Sequence, residues 1–395
     1  MNAISRKTPG TLTFALSILG RMKVVLGSAI ALMVVGCGGT GASNMSLPAS
    51  NGPMGASRFG SDTAPNSLPL AQVRTTEALP NDPDDPAIWV HPKDGALSRI
   101  LGTDKHEGTG GLYVFDLQGK IVQKITPLDR PNNVDVVQGV KLGDKTLDLA
   151  VVTERVQEQL RFYSIDENGT LSDLTGKTKI LPDASADEKL PMGVAFWKLA
   201  DGSAQVFVSP KTGPKLGYIA QYKLSLSPEG KVDLTLVRRL GSFSGLNKEG
   251  EGEIEALAVD QGAGNLYFSD ERAAIKRIPA DPSNKAGEFS FGRGEYSGDR
   301  EGLAVIKFDQ SKWLLSSDQI ENGSRLFVWD IGGRLPRRAA IIPTTCDSTD
   351  GLEATTANLG PEFPEGLLVM MNSKDKNFVL IDLREVKRAV AAGRR

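Results

Sequence analysis

The sequence predicts an all-β protein, a six-bladed β-propeller, on three observations. Short apolar runs alternate with turn residues along most of the chain, which carries 43 Gly and 22 Pro in 395 residues. Six of these runs open similar strand-rich units, at intervals of 46 to 63 residues measured between Ile88, Val134, Val194, Leu257, Leu303 and Leu352. No long amphipathic helix pattern separates them, and one short helix is expected near Glu385 to Ala392. One four-stranded sheet cannot bury both of its faces, so units of this period stack radially around a channel.

The first element is an address. Arg21 and Lys23 precede an apolar run from Val24 to Val35, the length of a signal-peptide core and too short for a membrane span. Val34-Val35-Gly36-Cys37 reads as a lipobox closing the signal segment 1–37: the leader is cut off before Cys37, and Cys37, the new N-terminus, is lipidated. Met22 offers a second start. Gly38 after the cysteine, in place of Asp, points to outer-membrane sorting. The protein is therefore expected in the cell envelope, as an outer-membrane lipoprotein or secreted, touching membrane only through its anchor. Residues 38–70, rich in Gly, Ser, Ala, Asn and Pro, read as a flexible tether to a propeller domain at 71–395.

Composition narrows the chemistry. The chain is 40% hydrophobic and 24% charged, with a net charge of −2, so no nucleic-acid partner is expected. Arg6, Lys7, Arg21 and Lys23 leave with the leader, which leaves 42 basic against 48 acidic residues. His91 and His106 are the two histidines, and Cys37 and Cys346 the two cysteines. Zinc sites rich in Cys or His, a disulfide framework and a histidine nucleophile within Arg-His-Gly are all excluded. Cys346 reads as a core or loop thiol. A hydrolase with this composition works with carboxylates, Lys and Arg, and a monomer is expected.

The six openings are Ala87-Ile88-Trp89, Val134-Asp135-Val136, Gly193-Val194-Ala195-Phe196, Ala256-Leu257-Ala258-Val259, Gly302-Leu303-Ala304-Val305 and Gly351-Leu352-Glu353. Five of them carry acids. Asp84 and Asp85 precede the first, Asp135 lies in the second, Glu255 precedes the fourth, Asp299 and Glu301 the fifth, Asp347 and Asp350 the sixth. Asp270 and Glu271 follow the second strand of the fourth unit. Carboxylates converging on one channel mouth repel one another unless cations neutralise them. Oxygen-only ligands suit Ca²⁺ best, with Mg²⁺ the stricter alternative. Any single Asp of this kind is also an ordinary turn or cap residue. Bases recur after second strands: Lys105 and His106, Arg155, Lys211. Together with calcium carboxylates they would form a phosphate site.

These residues resemble the β-propeller phytase family. The resemblance is carried by Asp84-Asp85-Pro86-Ala87-Ile88-Trp89, Asn132-Asn133-Val134-Asp135, Glu255 before Ala256-Leu257-Ala258-Val259, Leu266-Tyr267 with Asp270-Glu271, Asp299-Arg300-Glu301-Gly302-Leu303 and Asp347-Ser348-Thr349-Asp350-Gly351. They occur in the family's order over roughly residues 75–382. The resemblance implies a 3-phytase: a calcium-dependent phosphomonoesterase that removes phosphate from phytate (myo-inositol hexakisphosphate) by attack of a metal-activated water. By motif match, several Ca²⁺ ions would be held by Asp84, Asp85, Glu255, Asp270, Asp299, Glu301 and Asp350, with Asp85 serving a structural ion. Glu255, Asp299, Glu301, Lys105 and Arg155 would carry catalysis; Lys105, His106, Arg155 and Lys211 would hold substrate phosphates. Glu77 is a candidate for the rim. His106 stands where the family often has a second Lys, Met192 where a tyrosine is expected, and Thr212 follows Lys211 in place of an acid. A calcium-dependent lactonase-like propeller hydrolase and a non-catalytic surface scaffold are the alternatives. The first would lack the spread of phosphate-holding bases, and the second would show an apolar or aromatic mouth.

Overall fold

In a computed structural model of the chain, the described residues are 68–245, 253–308, 310–320 and 322–393. The leader, Cys37 and the tether up to residue 67 lie outside them.

The described residues form six four-stranded antiparallel sheets arranged as a propeller, with one α-helix, Leu383–Gly393. In each of the first five blades the four strands follow one another in sequence order, innermost first. The inner strands are Pro83–Trp89, Pro131–Leu142, Pro191–Lys198, Leu257–Asp260, Leu303–Phe308 and Leu352–Thr355. Each packs beside the next, and the first packs beside the sixth, which closes the ring.

The alternation read in the sequence explains this stacking. Successive strand residues face opposite sides of their sheet. Ala87 and Trp89 therefore pack toward Val134, Val152 and Tyr163 of blade 2, whereas Ile88 packs toward Phe378 and Leu380 of blade 6. Six apolar clusters result, one at every seam between neighbouring blades. Burial at the seams, shared by two sheets at a time, is the main stabilising term.

Ring closure differs from the simple repeat. The sixth blade takes three strands from the C-terminal part of the chain, and its outermost strand is Arg74–Thr75 from upstream of blade 1. Arg74 pairs with Leu380 and Thr75 with Val379, and the Thr76 hydroxyl accepts the Phe378 amide at 3.0 Å. After its last strand, Asn377–Asp382, the chain turns into the expected helix, which buries Val386 and Val390 on the seam between blades 5 and 6. Cys346 is buried in the same cluster.

Candidate active site

Antiparallel pairing decides where the functional side chains meet. The residue that opens an inner strand lies beside the end of strand two: Pro83 pairs with Asp104, Pro131 with Glu154 and Pro191 with Pro210. Lys105, Arg155 and Lys211 are the next residue in each case. They therefore enter the same end of the ring as the acids that precede the inner strands. Strand three starts at that end, so strand four starts at the other. Glu77, whose carboxylate accepts the Ile121 amide at the start of a fourth strand (2.8 Å), belongs to the opposite end.

At the mouth, Lys105 is the hub between blades 1 and 6. Its Nζ lies 2.7 Å from Asp84 Oδ1, contacts Asp350 Oδ2 and is 4.0 Å from Asp82. Asp84 is fully buried and its second oxygen accepts from Asn132 Nδ2 at 3.1 Å. Burial pushes the Asp84 carboxyl up, but the Lys105 ammonium more than offsets this and leaves it below the usual range. Burial lowers the Lys105 pKa, yet Asp84 and Asp350 together raise it well above its ordinary value. Asp350 also accepts from Gln319 Nε2, and burial carries it up to about 7 despite Lys105.

The second group has more negative than positive charge. Ligand oxygens of Glu253, Glu255 and Glu271 all lie within 4.8 Å of one another. Glu253 is paired with Lys211, and Glu271 accepts the Glu253 amide at 3.1 Å. Glu253 Oε2 and Glu271 Oε1 are buried without a hydrogen-bond partner. Burial, reinforced by the negative charge of Glu253, raises Glu271 to about 8. Burial and the charges of Asp84 and Glu253 hold Glu255 well above the carboxylate range. Glu301 is raised likewise, by burial first and then by Glu271 and Glu255. Asp299 is forked by Arg272, with Nε to Oδ1 at 2.9 Å and Nη2 to Oδ2 at 3.0 Å. Unpartnered buried carboxylate oxygens in an all-oxygen group are a donor set that fits a hard divalent cation.

Two predicted site residues are placed differently. The Asp270 carboxylate does not join the glutamates: it pairs with Lys276 at 2.8 Å and accepts from the Ser244 amide and hydroxyl, both at 2.8 Å. Asp270 closes its strand and Glu271 is the next residue, so the two project differently and Glu271 is the one delivered to the cluster. His106 is exposed, with its ring nitrogen 2.8 Å from the Thr109 hydroxyl. Glu253 was not singled out in the sequence, although its spacing of two from Glu255 puts both on one side of an extended segment. Arg155 is buried, with its guanidinium against Met192 Sδ.

Asp85 lies apart from this group, lining the central channel with Asp135 and Glu353. Asp85 accepts the Val134 amide of blade 2 at 3.1 Å, and Asp135 accepts the Phe196 amide of blade 3 at 2.6 Å. These carboxylates thus tie successive inner strands together. Burial raises Asp85 well above its usual range, Asp135 to about 7 and Glu353 to about 8.

Fold and site together define a propeller enzyme whose mouth joins clustered carboxylates to Lys and Arg from matched blade positions. The phytase family model matches residues 54–380, and the chain belongs to the phytase family. The 3-phytase of Bacillus subtilis (strain 168) is 28% identical over 304 residues, spanning 74% of this chain and 75% of that protein. Among solved structures, the PQQ-bound aldose sugar dehydrogenase of Streptomyces coelicolor is similar at TM-score 0.43 and 13% identity, over 81% of this chain and 99% of that one. A Lactobacillus plantarum protein is similar at TM-score 0.45 and 13% identity, over 80% and 82%. Likenesses this remote have no bearing on the chemistry.

Proposed function

We propose that the protein is a calcium-dependent phosphomonoesterase that releases phosphate from phytate. The observation that carries this reading is the convergence of Glu253, Glu255 and Glu271, two of them with orphaned buried oxygens, at the same end of the ring as Lys105 and Arg155. Phosphates are anions, and a mouth of carboxylates alone would repel them; cations and bases must turn it into a phosphate site.

Glu253, Glu255, Glu271 and Glu301 would hold calcium by the glutamates, and Asp84 and Asp350 beside Lys105. When bound, calcium offsets the negative charge of the phosphate and polarises its oxygens. The chain's own residues supply position and further charge. Arg155, among the described residues, pairs with no carboxylate, so its guanidinium is available to a phosphate oxygen. Lys105 stays protonated between its two aspartates and adds a fixed positive charge, of the kind that stabilises a phosphoryl group in the transition state. Lys211, tethered to Glu253, couples the glutamate group to substrate binding. The like-charged glutamates are raised by burial and by one another, so a divalent cation would displace their protons on binding.

The test is phosphate release from phytate by purified residues 38–395, with calcium and with a chelator. Calcium-dependent release supports the reading, and none with calcium refutes it. A lactone-hydrolysing activity in its place would favour the lactonase-like alternative. Placement in the envelope is part of the same proposal: Cys37 would carry lipid, and Cys37→Ser would leave the protein unprocessed or soluble. An unmodified Cys37 in membrane-extracted protein would refute it.

A further inference from the structure

Arg300 stands between Asp299 and Glu301, just before the inner strand of blade 5, Leu303–Phe308. Its backbone is held to the second strand of that blade on both sides. Asp299 and Gln319 exchange amide-to-carbonyl bonds at 3.3 and 2.9 Å, and the Gly302 amide donates to Ser317 Oγ at 2.7 Å. The side chain leaves this anchorage and reaches blade 4. Nη1 donates to the carbonyl of Glu271, the residue after the second strand of that blade, Asn265–Asp270, at 2.6 Å. Nη2 donates to the carbonyl of Gly292, the residue after its outer strand, Phe289–Phe291, at 2.9 Å.

This buried arginine is not half of an ion pair. Arg300 is 3% exposed. Asp299 beside it is forked by Arg272 and Asp318 is paired with Arg325, so among the described residues Arg300 has no carboxylate within ion-pair distance. Its guanidinium lies over Tyr296, with Cζ 4.3 Å from the ring centroid. That ring stacks on Phe327 at 4.0 Å, and its hydroxyl accepts from Trp329 Nε1 at 2.8 Å. The ring face and two carbonyls offset part of the cost of burying a charge. Packing alone would be served as well by an apolar side chain, since replacing buried charged groups with apolar ones is often neutral or stabilising. An apolar side chain cannot hold two carbonyls at once with one rigid fork.

One of those carbonyls belongs to a member of the glutamate group. The Glu271 amide donates to the Glu253 carbonyl at 3.2 Å, and the Glu271 carboxylate accepts the Glu253 amide at 3.1 Å. With Arg300 on its carbonyl, Glu271 is held on both of its peptide groups, while its carboxylate oxygen Oε1 is buried without a partner. We propose that Arg300 is a positioning residue of the glutamate group: from blade 5 it locks the Glu271 peptide of blade 4, so that Glu271 keeps a fixed place beside Glu253 and Glu255 and relative to Glu301. This rests on the calcium reading above and extends it to the residue that sets a ligand's position.

The test uses Arg300→Lys, which keeps the charge but cannot hold both carbonyls, and Arg300→Gln, which removes the charge and can reach one of them; either variant suffices. Trp329→Phe is the control, because it removes the hydrogen bond to Tyr296 without touching Glu271. Calcium binding is followed by calorimetric titration, phosphate release from phytate as a function of calcium, and unfolding in chelator. Both Arg300 variants should raise the calcium midpoints of binding and of phosphate release about tenfold, the scale of losing a partner that orients a metal ligand. KM for phytate at saturating calcium should stay within about twofold. Trp329→Phe should lose stability in chelator and keep the wild-type calcium midpoint. In a Glu271→Gln background the Arg300→Lys shift should shrink to less than about twofold, because Arg300 acts through Glu271. Wild-type calcium midpoints in the Arg300 variants, an equal shift in Trp329→Phe, or an undiminished shift on Glu271→Gln would each overturn the proposal. A wild type that binds no calcium defeats the calcium reading and the proposal with it. A wild type that binds calcium but releases no phosphate defeats the phosphatase reading alone, and the binding titrations then decide the role of Arg300.

Discussion

Lys105, just after the second strand of blade 1, is ion-paired with Asp350, just before the inner strand of blade 6, 245 positions along the chain. The same ammonium lies 2.7 Å from Asp84. One ammonium therefore bridges two acids from the two blades that meet where the ring closes, and it does so in the mouth.

Lys105→Met keeps the stem and removes this charge. Asp84 and Asp350 would then be buried together without their cation, a change that typically costs about 3 kcal/mol or more. Denaturant unfolding in chelator should show that loss, and phosphate release should fall with it. A midpoint equal to wild type would mean that the pair has no structural weight.

Calcium response should separate Glu271 from Asp270. Chelation should lower the melting temperature of the wild type, and added calcium should restore it, because a ligand that binds only the native state stabilises it. Glu271→Gln removes one cluster carboxylate, so the calcium concentration for half-maximal stabilisation should rise about tenfold or more. Asp270→Asn should instead lower stability with and without calcium, through Lys276. The same calcium midpoint in Glu271→Gln and wild type would exclude Glu271 as a ligand.

The channel carboxylates give a pH dependence. Burial lifts Glu353 from an ordinary 4.5 to about 8. Between those values the folded chain keeps a proton that the unfolded chain has released, so the group's contribution is full below pH 4.5 and fades as pH rises to about 8. Glu353→Gln retains the oxygen that accepts the Ala354 amide. In chelator its melting temperature should decline less over that window than the wild type's, and parallel declines would count against a titrating Glu353.

The seam between blades 1 and 6 is closed around Gly102. A Cβ there would lie 2.2 Å from Phe378 Cε2, in a ring that is fully buried and packed edge-on against Phe115 at 6.0 Å. Gly102→Ala should cost about 2 kcal/mol as this seam is forced apart. Gly287→Ala, which meets nothing within 4 Å and is outside the left-handed region, serves as the control without a clash. If Gly102→Ala proves as stable as wild type, the contact with Phe378 is not rigid.

The architecture was legible because it is periodic. Residue types at the openings, from Asp84-Asp85 to Asp347–Gly351, repeat at blade intervals, and strand geometry then places acids before strand one and bases after strand two at one end. That reasoning needs local pairing alone, and it located Lys105, Arg155, Lys211, Asp84, Glu255, Asp299, Glu301 and Asp350 at a common mouth. The sequence reading named Asp270 as a ligand, whereas the structure brings Glu271 to the cluster: neighbours at the end of a strand differ in direction, not in type.

By itself, then, the sequence determined the all-β propeller, the number of blades and the residue types at the mouth, since each follows from a short-range period of strands and turns. Tertiary structure alone decided that Arg74–Thr75 completes the sixth blade, that Lys105 serves Asp350, that Glu253 and Glu271 join Glu255, and that Asp85 turns into the channel with Asp135 and Glu353. The physical reason is closure. Joining the first blade to the last brings together residues far apart in the chain, and burial of their charges leaves each one only the partners that the closed ring puts within reach.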